Sequence, residues 1–179
     1  VVFPVEVIAE LARGRGIVFH TDAVQAVGKV PINLTKSKID MLSLSAHKIY
    51  GPKGVGALYI RKGLKISNLM QGGAQEKKKR PGTENVPGIV GFGKAAELAQ
   101  RDFETHVSKL KELRDYFIGE VTSKIDNVHV NGSLSHRHPG NANITFEYIE
   151  GEAILLMLNA KGIYVSTGSA CSSASLVPS

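Results

Sequence analysis

Three short apolar segments constrain the fold of this chain most, because none of them alternates cleanly between apolar and polar residues. They cover residues 17–19, 39–44 and 55–60. A strand with one face in water alternates with a period of two, whereas a strand covered on both faces is apolar throughout. An amphipathic helix is predicted over residues 4–13, where apolar side chains recur at helical spacing before two glycines. These patterns predict an α/β fold with a mainly parallel sheet covered on both faces.

A long helical region is predicted in the middle of the chain. Apolar residues step by three and four across residues 86–125, and Asn85 supplies a side chain that favours a helix start. This region is long enough to leave one domain and enter another. We therefore expect part of a large domain over residues 1–104 and part of a smaller domain over residues 105–179.

The smaller domain is expected to be of the α+β type. Residues 144–148 alternate between apolar and polar side chains, as in a half-buried strand. A short helix is predicted over residues 152–159 and a further strand at residues 164–165.

The composition is that of a folded globular chain. Of its 179 residues 42% are hydrophobic and 21% are charged. No apolar run approaches the roughly 20 residues that span a membrane. A single cysteine excludes an internal disulfide and suits a reducing compartment, so we expect a cytoplasmic protein. The chain opens with Val1-Val2-Phe3-Pro4, without a methionine or a signal peptide, and we expect it to be a fragment of a longer polypeptide.

The positive charge of the chain does not by itself indicate a nucleic-acid site. Much of the formal net charge of +6 comes from one run, Lys77-Lys78-Lys79-Arg80. Binding of nucleic acid needs a basic face and, for single strands, stacking aromatic side chains. The run has no aromatic neighbour and tryptophan is absent. We expect a solvated loop here and no direct nucleic-acid binding, and no metal-ligand cluster is evident in the sequence.

A polar segment follows the first predicted strand. It contains Asp22 and Gln25. In α/β sheets, ligands bind beyond the carboxyl ends of the strands, which places both side chains well for binding. The alternative is that Thr21 or Asp22 caps a short helical turn.

A second such segment contains Lys48. It runs from Ser43 to Gly54 after another apolar strand, and Lys48 lies among small and apolar residues. We expect partial desolvation there to favour a nucleophilic amine, although a surface lysine in a Gly/Pro turn is the alternative. Ser45 and His47 offer donors to a phosphate. With the carboxylate of Asp22, this set matches what a pyridoxal-phosphate (PLP) site requires: a lysine, a carboxylate for the ring nitrogen and small phosphate donors.

Four separated motifs resemble the class V aminotransferase family and, within it, the cysteine desulfurases of iron–sulfur cluster assembly. They are Asp22-Ala23-Val24-Gln25, Ser45-Ala46-His47-Lys48 with Gly51-Pro52-Lys53-Gly54, Gly72-Gly73-Ala74-Gln75-Glu76 with Arg80-Pro81-Gly82-Thr83-Glu84-Asn85, and 166–175. The resemblance covers nearly the whole chain in order. It implies a PLP-dependent transferase of fold type I.

The resemblance implies a role for each residue of the cofactor site. Lys48 would hold PLP covalently and later move protons. Asp22 would pair with the pyridinium nitrogen, and Gln25 would bond the phenolic oxygen of the ring. Ser45 and His47 would hold the phosphate.

The same resemblance implies partners. Thr83 would reach the phosphate of a neighbouring subunit, which implies a homodimer. Cys171 would attack the sulfur of the substrate L-cysteine and carry a persulfide to an iron–sulfur scaffold or another sulfur-acceptor protein. The arginine that grips the substrate carboxylate and the histidine that stacks on the ring in this family have no counterpart among these residues.

The neighbours of Cys171 support a reactive role independently. A lone cysteine is commonly a small buried hydrophobe. Here it is surrounded by glycine, serine and alanine, which pack poorly in a core and favour an accessible loop.

Two other functions remain open from the sequence. A selenocysteine lyase or an aminotransferase of class V would keep Asp22 and Lys48 but would not need Cys171 in a loop of small residues. A non-catalytic module that docks a sulfur acceptor is the other, and it would leave the complete set of PLP-binding residue types unexplained.

Overall fold

The computed structural model describes residues 2–168, which divide into a first compact unit, Val2–Lys109, and a second from Leu110 onward. The elements are α1 (Val5–Gly14), β1 (His20–Asp22), β2 (Met41–Ser45), a 3-10 helix (Ala46–Ile49), β3 (Gly56–Ile60), α2 (Gln75–Lys78), α3 (Val86–Arg101), α4 (Phe103–Lys124), β4 (Val128–Val130), β5 (Ile144–Phe146) and α5 (Gly151–Asn159). The division falls inside α4, and the expected domain boundary after residue 104 stays a prediction. None of the described helices combines the length and apolar character needed to cross a membrane.

The first unit contains a three-stranded sheet in the order β1-β2-β3. Strands β1 and β2 are parallel, with Asp22 opposite Ser43. Strands β2 and β3 are antiparallel, with Ser45 opposite Gly56. The antiparallel return follows from the short connection over residues 46–55, since a parallel crossover needs about a dozen residues or more.

The first strand begins later than its apolar residues suggest. Residues 17–19 were predicted as the strand, but β1 starts at His20, and Ile17 and Val18 are 57% and 51% exposed. The backbone oxygen of Phe19 accepts from the amides of Asp40 and Met41, so pairing with the next strand starts only there. The prediction of a strand over residues 17–19 was therefore wrong. The strand lies three residues later, on the polar residues His20–Asp22.

The core of the first unit lies between α1 and the sheet. Ala9, Ala23, Ile39 and Leu42 form a buried cluster, and Ile39 and Leu42 are its largest fully buried side chains. Ala9 in α1 is completely buried. A residue with so small a side chain lets the helix approach the sheet closely.

A buried carboxylate joins the elements around this core. Asp40 is 2% exposed. Its Oδ2 accepts from the amide of Phe19 at 3.0 Å, and its Oδ1 accepts from Arg13 Nη2 at 2.9 Å and from Arg61 Nε at 2.6 Å. These partners lie in α1, just before β1 and just after β3. The amide of Phe19 chiefly lowers the pKa of Asp40, and the two guanidinium groups add to this against the opposing effect of burial.

A tight approach positions the 3-10 helix against the turn of residues 23–30. Gly28 has a φ of +71°, and a Cβ added there would lie 3.0 Å from Ile49 Cγ2 and 3.4 Å from Ala99 Cβ. Both the positive φ and the contact require glycine. The residue therefore lets the segment after β1 lie directly on the helix that carries Lys48.

The helical region predicted over residues 86–125 is two helices, because the chain breaks at Asp102 between α3 and α4. The predicted start is confirmed, since the amide of Gly88 donates to Asn85 Oδ1 at 3.1 Å. The guanidinium of Arg101 donates to the carboxylate of Asp102 twice at 2.7 Å.

The second unit contains a two-stranded antiparallel sheet, β4 with β5, and the helix α5. The sequence did not indicate β4, and the strand predicted at residues 164–165 is irregular in the structure. The buried side chain of Arg137 donates to the carbonyl oxygens of Asn131 and Ser133 and to Asn141 Oδ1, which holds the connection between the strands. Buried arginines need this kind of complete pairing.

Replacing Asp40 by asparagine is expected to lower the free energy of unfolding by about 3 kcal/mol, because the substitution leaves Arg13 and Arg61 without a compensating charge. Folding lowers the pKa of Asp40, so its stabilisation is present above the pKa of the unfolded chain, about 3.9, and is lost as the pH falls through the folded value. Urea unfolding between pH 3 and 7 tests this. The exposed Asp126→Asn is the control, and equal stability losses for the two variants would contradict the role of Asp40.

Gly28→Ala is expected to lower stability by about 1–2 kcal/mol, since its methyl group meets Ile49 and its φ is positive. Gly93→Ala is the matched control. Gly93 lies inside α3 with no atom within 4 Å of an added Cβ, so alanine there raises stability by about 0.5–1 kcal/mol. Urea midpoints that move in the same direction for both variants would show that Gly28 does not set the contact.

Candidate cofactor site

The two polar segments singled out in the sequence meet at one edge of the sheet. Asp22 is the last residue of β1 and Ser45 the last residue of β2, and the two strands are parallel neighbours. Lys48 follows within the 3-10 helix. Parallel strands end at the same edge, which is the usual position of ligand sites in α/β sheets. The structure therefore brings Asp22 and the segment of Ser45 to Lys48 to one location.

Asp22 is exposed and also caps the turn that follows it. Its Oδ1 accepts from the amide of Val24 at 2.8 Å. The cap that the sequence left open as an alternative is thus present, and it engages one of the two carboxylate oxygens. Gln25 lies exposed in the same turn. A carboxylate held in place by a backbone amide is preorganised to meet a second partner.

Hydroxyl and imidazole groups line the end of β2. Ser45 Oγ lies 2.8 Å from His47 Nδ1, and His20 Nε2 lies 2.7 Å from Ser43 Oγ. Ser45 is half-buried and His47 is exposed. Such side chains can donate hydrogen bonds to a phosphate. The pair formed by His20 and Ser43 was not assigned from the sequence, although Ser43 begins the second polar segment and His20 lies two residues before Asp22.

Lys48 is half-buried in the 3-10 helix. Tyr50 ends this helix in a left-handed conformation with a φ of 66°, and the amide of Gly51 returns to the oxygen of Ala46 at 2.9 Å. A Cβ added to Gly51 would lie 3.1 Å from the Cβ of Ala95 in α3. The backbone around Lys48 is therefore held by the hydrogen bond between Gly51 and Ala46 and by the contact of Gly51 with α3.

Sequence reasoning missed a second lysine at this site. Lys29 is half-buried, and its Nζ donates to the backbone oxygen of Lys48 at 2.8 Å. Burial lowers the pKa of Lys29, and repulsion from Lys48 lowers it further. The available signal was a lysine inside an otherwise apolar stretch, residues 26–32.

The glycine-rich motif and the motif of Thr83 contact each other. The amide of Gly82 donates to Gln75 Oε1 at 3.1 Å, and a Cβ added to Gly72 would lie 2.7 Å from Pro81 Cβ. Thr83 itself is exposed in this loop. Its contact with the phosphate in a neighbouring subunit stays a prediction. Cys171 lies outside the described residues, so its role also stays a prediction.

The donor set fits PLP. A carboxylate, a lysine and a hydroxyl–imidazole pair lie at the carboxyl ends of two adjacent strands, and the carboxylate and the imidazole are open to solvent. These are the groups that a pyridinium nitrogen, an aldehyde and a phosphate require.

Comparison with known proteins agrees with this site. The family described as Aminotransferase class-V matches residues 1–178. The cysteine desulfurase IscS of Dictyoglomus turgidum is 57% identical over 176 residues, which are 98% of this chain and 45% of that protein. The cysteine desulfurase IscS of Methanosarcina thermophila is 60% identical over 176 residues, 98% of this chain and 43% of that protein. The chain thus spans less than half the length of these curated relatives.

The fold is shared with solved structures. A NifS-like protein superposes with a TM-score of 0.86 at 38% identity, covering 92% of this chain and 45% of that one. This confirms the expected fold class, the α/β fold of PLP-dependent transferases of type I. Class V aminotransferases and cysteine desulfurases use PLP as their cofactor. From its sequence and its fold, the chain belongs to the class V aminotransferase family.

Proposed function

We propose that the whole protein is a PLP-dependent cysteine desulfurase. It would convert L-cysteine to L-alanine and pass the sulfur, as a persulfide on Cys171, to an acceptor protein for iron–sulfur cluster assembly. The observation that carries the proposal is the placement of Asp22 and Lys48 at the carboxyl ends of two adjacent parallel strands. The curated relatives named cysteine desulfurase support the choice of reaction.

The residues at the strand ends would bind and orient the cofactor. When bound, PLP supplies an electron-withdrawing ring that stabilises negative charge at the α-carbon of an amino acid. Asp22 would accept a hydrogen bond from the protonated ring nitrogen and keep it protonated, and Gln25 would contact the ring oxygen. Ser45 and His47, which already lie within hydrogen-bonding distance of each other, would turn their donors to the phosphate.

Lys48 would have two roles. It would hold the cofactor through Nζ, and after the substrate amine displaces it, the neutral amine would accept the α-proton of L-cysteine. The 3-10 helix fixes the backbone of Lys48 at both ends. The amine of Lys48 would therefore stay near the cofactor after it is displaced.

Cys171 would act as the nucleophile toward the substrate sulfur. Its thiolate forms a new S–S bond as the substrate C–S bond breaks, and the electron pair of that bond stays on the substrate carbon. That carbon takes up a proton and becomes the methyl group of alanine. The transferred sulfur is oxidised to the persulfide level while the carbon is reduced, so no external oxidant is required.

The proposal includes the assembly and location of the protein. Thr83 would contact the cofactor phosphate of a second subunit, which makes the active form a homodimer with shared sites. The exposure of Thr83 in a loop where two motifs contact each other supports this. We propose a cytoplasmic location, since a single cysteine suits a reducing compartment.

Cys171→Ser is expected to leave PLP bound and to lower alanine production from L-cysteine by at least about 100-fold, because a hydroxyl cannot replace the thiolate as nucleophile. The substitution removes the only cysteine of this chain. Alanine and sulfide are measured together, with bound PLP followed by absorbance. A variant that releases sulfur at the full rate would refute the role of Cys171 and favour a lyase-type class V enzyme.

A further inference from the structure

Lys29 contacts the backbone of Lys48 and has no role in the site described so far. Its Nζ donates to the Lys48 carbonyl oxygen at 2.8 Å. Lysine side chains commonly extend into water, but this one is half-buried beneath the helix that carries Lys48. A buried ammonium group needs a partner of this kind, because it has lost part of its hydration.

The turn that carries Lys29 is anchored at the strand that carries Asp22. The amide of Ala23 donates to the oxygen of Ser43 at 3.0 Å, and the amide of Lys29 donates to the oxygen of Ala26 at 3.0 Å. Gly28 brings this turn into contact with Ile49. The turn is therefore held at both ends, which places Nζ of Lys29 at a fixed point beneath Lys48.

The side chain of Lys29 also lines a cavity of about 260 Å³. The other titratable groups in its wall are Tyr50, Asp102 and His106. Asp102 is paired with Arg101, and the ring of His106 lies edge-on to that of Tyr50 at 6.2 Å. The negative charge of Asp102 is thus compensated by another residue, and the cavity leaves room for a larger cation at position 29.

We propose that Lys29 is a positioning residue for Lys48: the hydrogen bond from its Nζ to the carbonyl oxygen of Lys48 fixes the backbone from which the Lys48 amine reaches the cofactor. This inference rests on the proposed function, since it assigns to Lys48 the covalent bond with PLP. It adds a residue outside the four motifs to the machinery of that site.

The test compares Lys29→Met, Lys29→Gln and Lys29→Arg in the PLP-loaded whole protein. Methionine removes the hydrogen-bond donor, whereas glutamine keeps an amide donor and arginine keeps a charged donor. The readouts are the amount of bound PLP, followed by absorbance, the rate of alanine formation and the melting temperature. Lys36→Met, at an exposed lysine of the same unit, controls for the loss of one surface charge.

We expect Lys29→Met to bind PLP and to lower the rate of alanine formation by about tenfold, because the carbonyl oxygen of Lys48 loses its donor. We expect Lys29→Arg to restore the rate to within about twofold of the wild type, and Lys29→Gln to lie between the two variants. Lys36→Met should match the wild type. Should Lys29→Met not fold, the rate of Lys29→Gln relative to that of Lys29→Arg decides.

Two results would overturn the inference alone. One is a wild-type rate in Lys29→Met while the wild type binds PLP. The other is an equal loss of rate and of melting temperature in all three variants, including Lys29→Arg, which would mean a purely structural role. A wild-type protein that binds no PLP would instead overturn the proposed function, and the inference with it.

Discussion

The carboxylate of Asp40 is the interaction on which the rest of the first unit depends. It joins α1 through Arg13, the start of β1 through the amide of Phe19, and the end of β3 through Arg61. Because it is almost completely buried, its charge is stable only while these partners stay in place. Asp40 therefore links the position of the outer helix to the pairing of all three strands.

That pairing sets the geometry of the cofactor site. The parallel register of β1 with β2 places Asp22 opposite Ser43, and Ser45 and Lys48 follow at the same edge. Gly28 then allows the turn after Asp22 to lie against the 3-10 helix. The carboxylate and the lysine of the site thus belong to two segments that are held together by backbone pairing, by a tight contact at a glycine and by the hydrogen bond from Lys29. A site built in this way is rigid before any cofactor enters it.

Much of this could be predicted from the sequence, because it depends on short-range patterns. Apolar runs followed by polar segments indicated where the sheet ends, and those ends carry Asp22 and Lys48. The contributions of Asp40 and Lys29 could not be predicted in the same way. Each depends on a contact between residues about 20 positions apart, and the only local sign was a charged residue inside an apolar stretch. The late start of β1 was missed for a similar reason, since it is fixed by the bonds of Phe19 to the next strand.

Every role assigned to Lys48 depends on its covalent bond with PLP, and borohydride reduction of the PLP-loaded whole protein detects that bond. Reduction fixes the cofactor on the lysine that holds it, and mass spectrometry of the peptides identifies that residue. We expect one modified peptide, with the added mass on Lys48. A label on Lys29 or on another lysine, or no label at all, would contradict it.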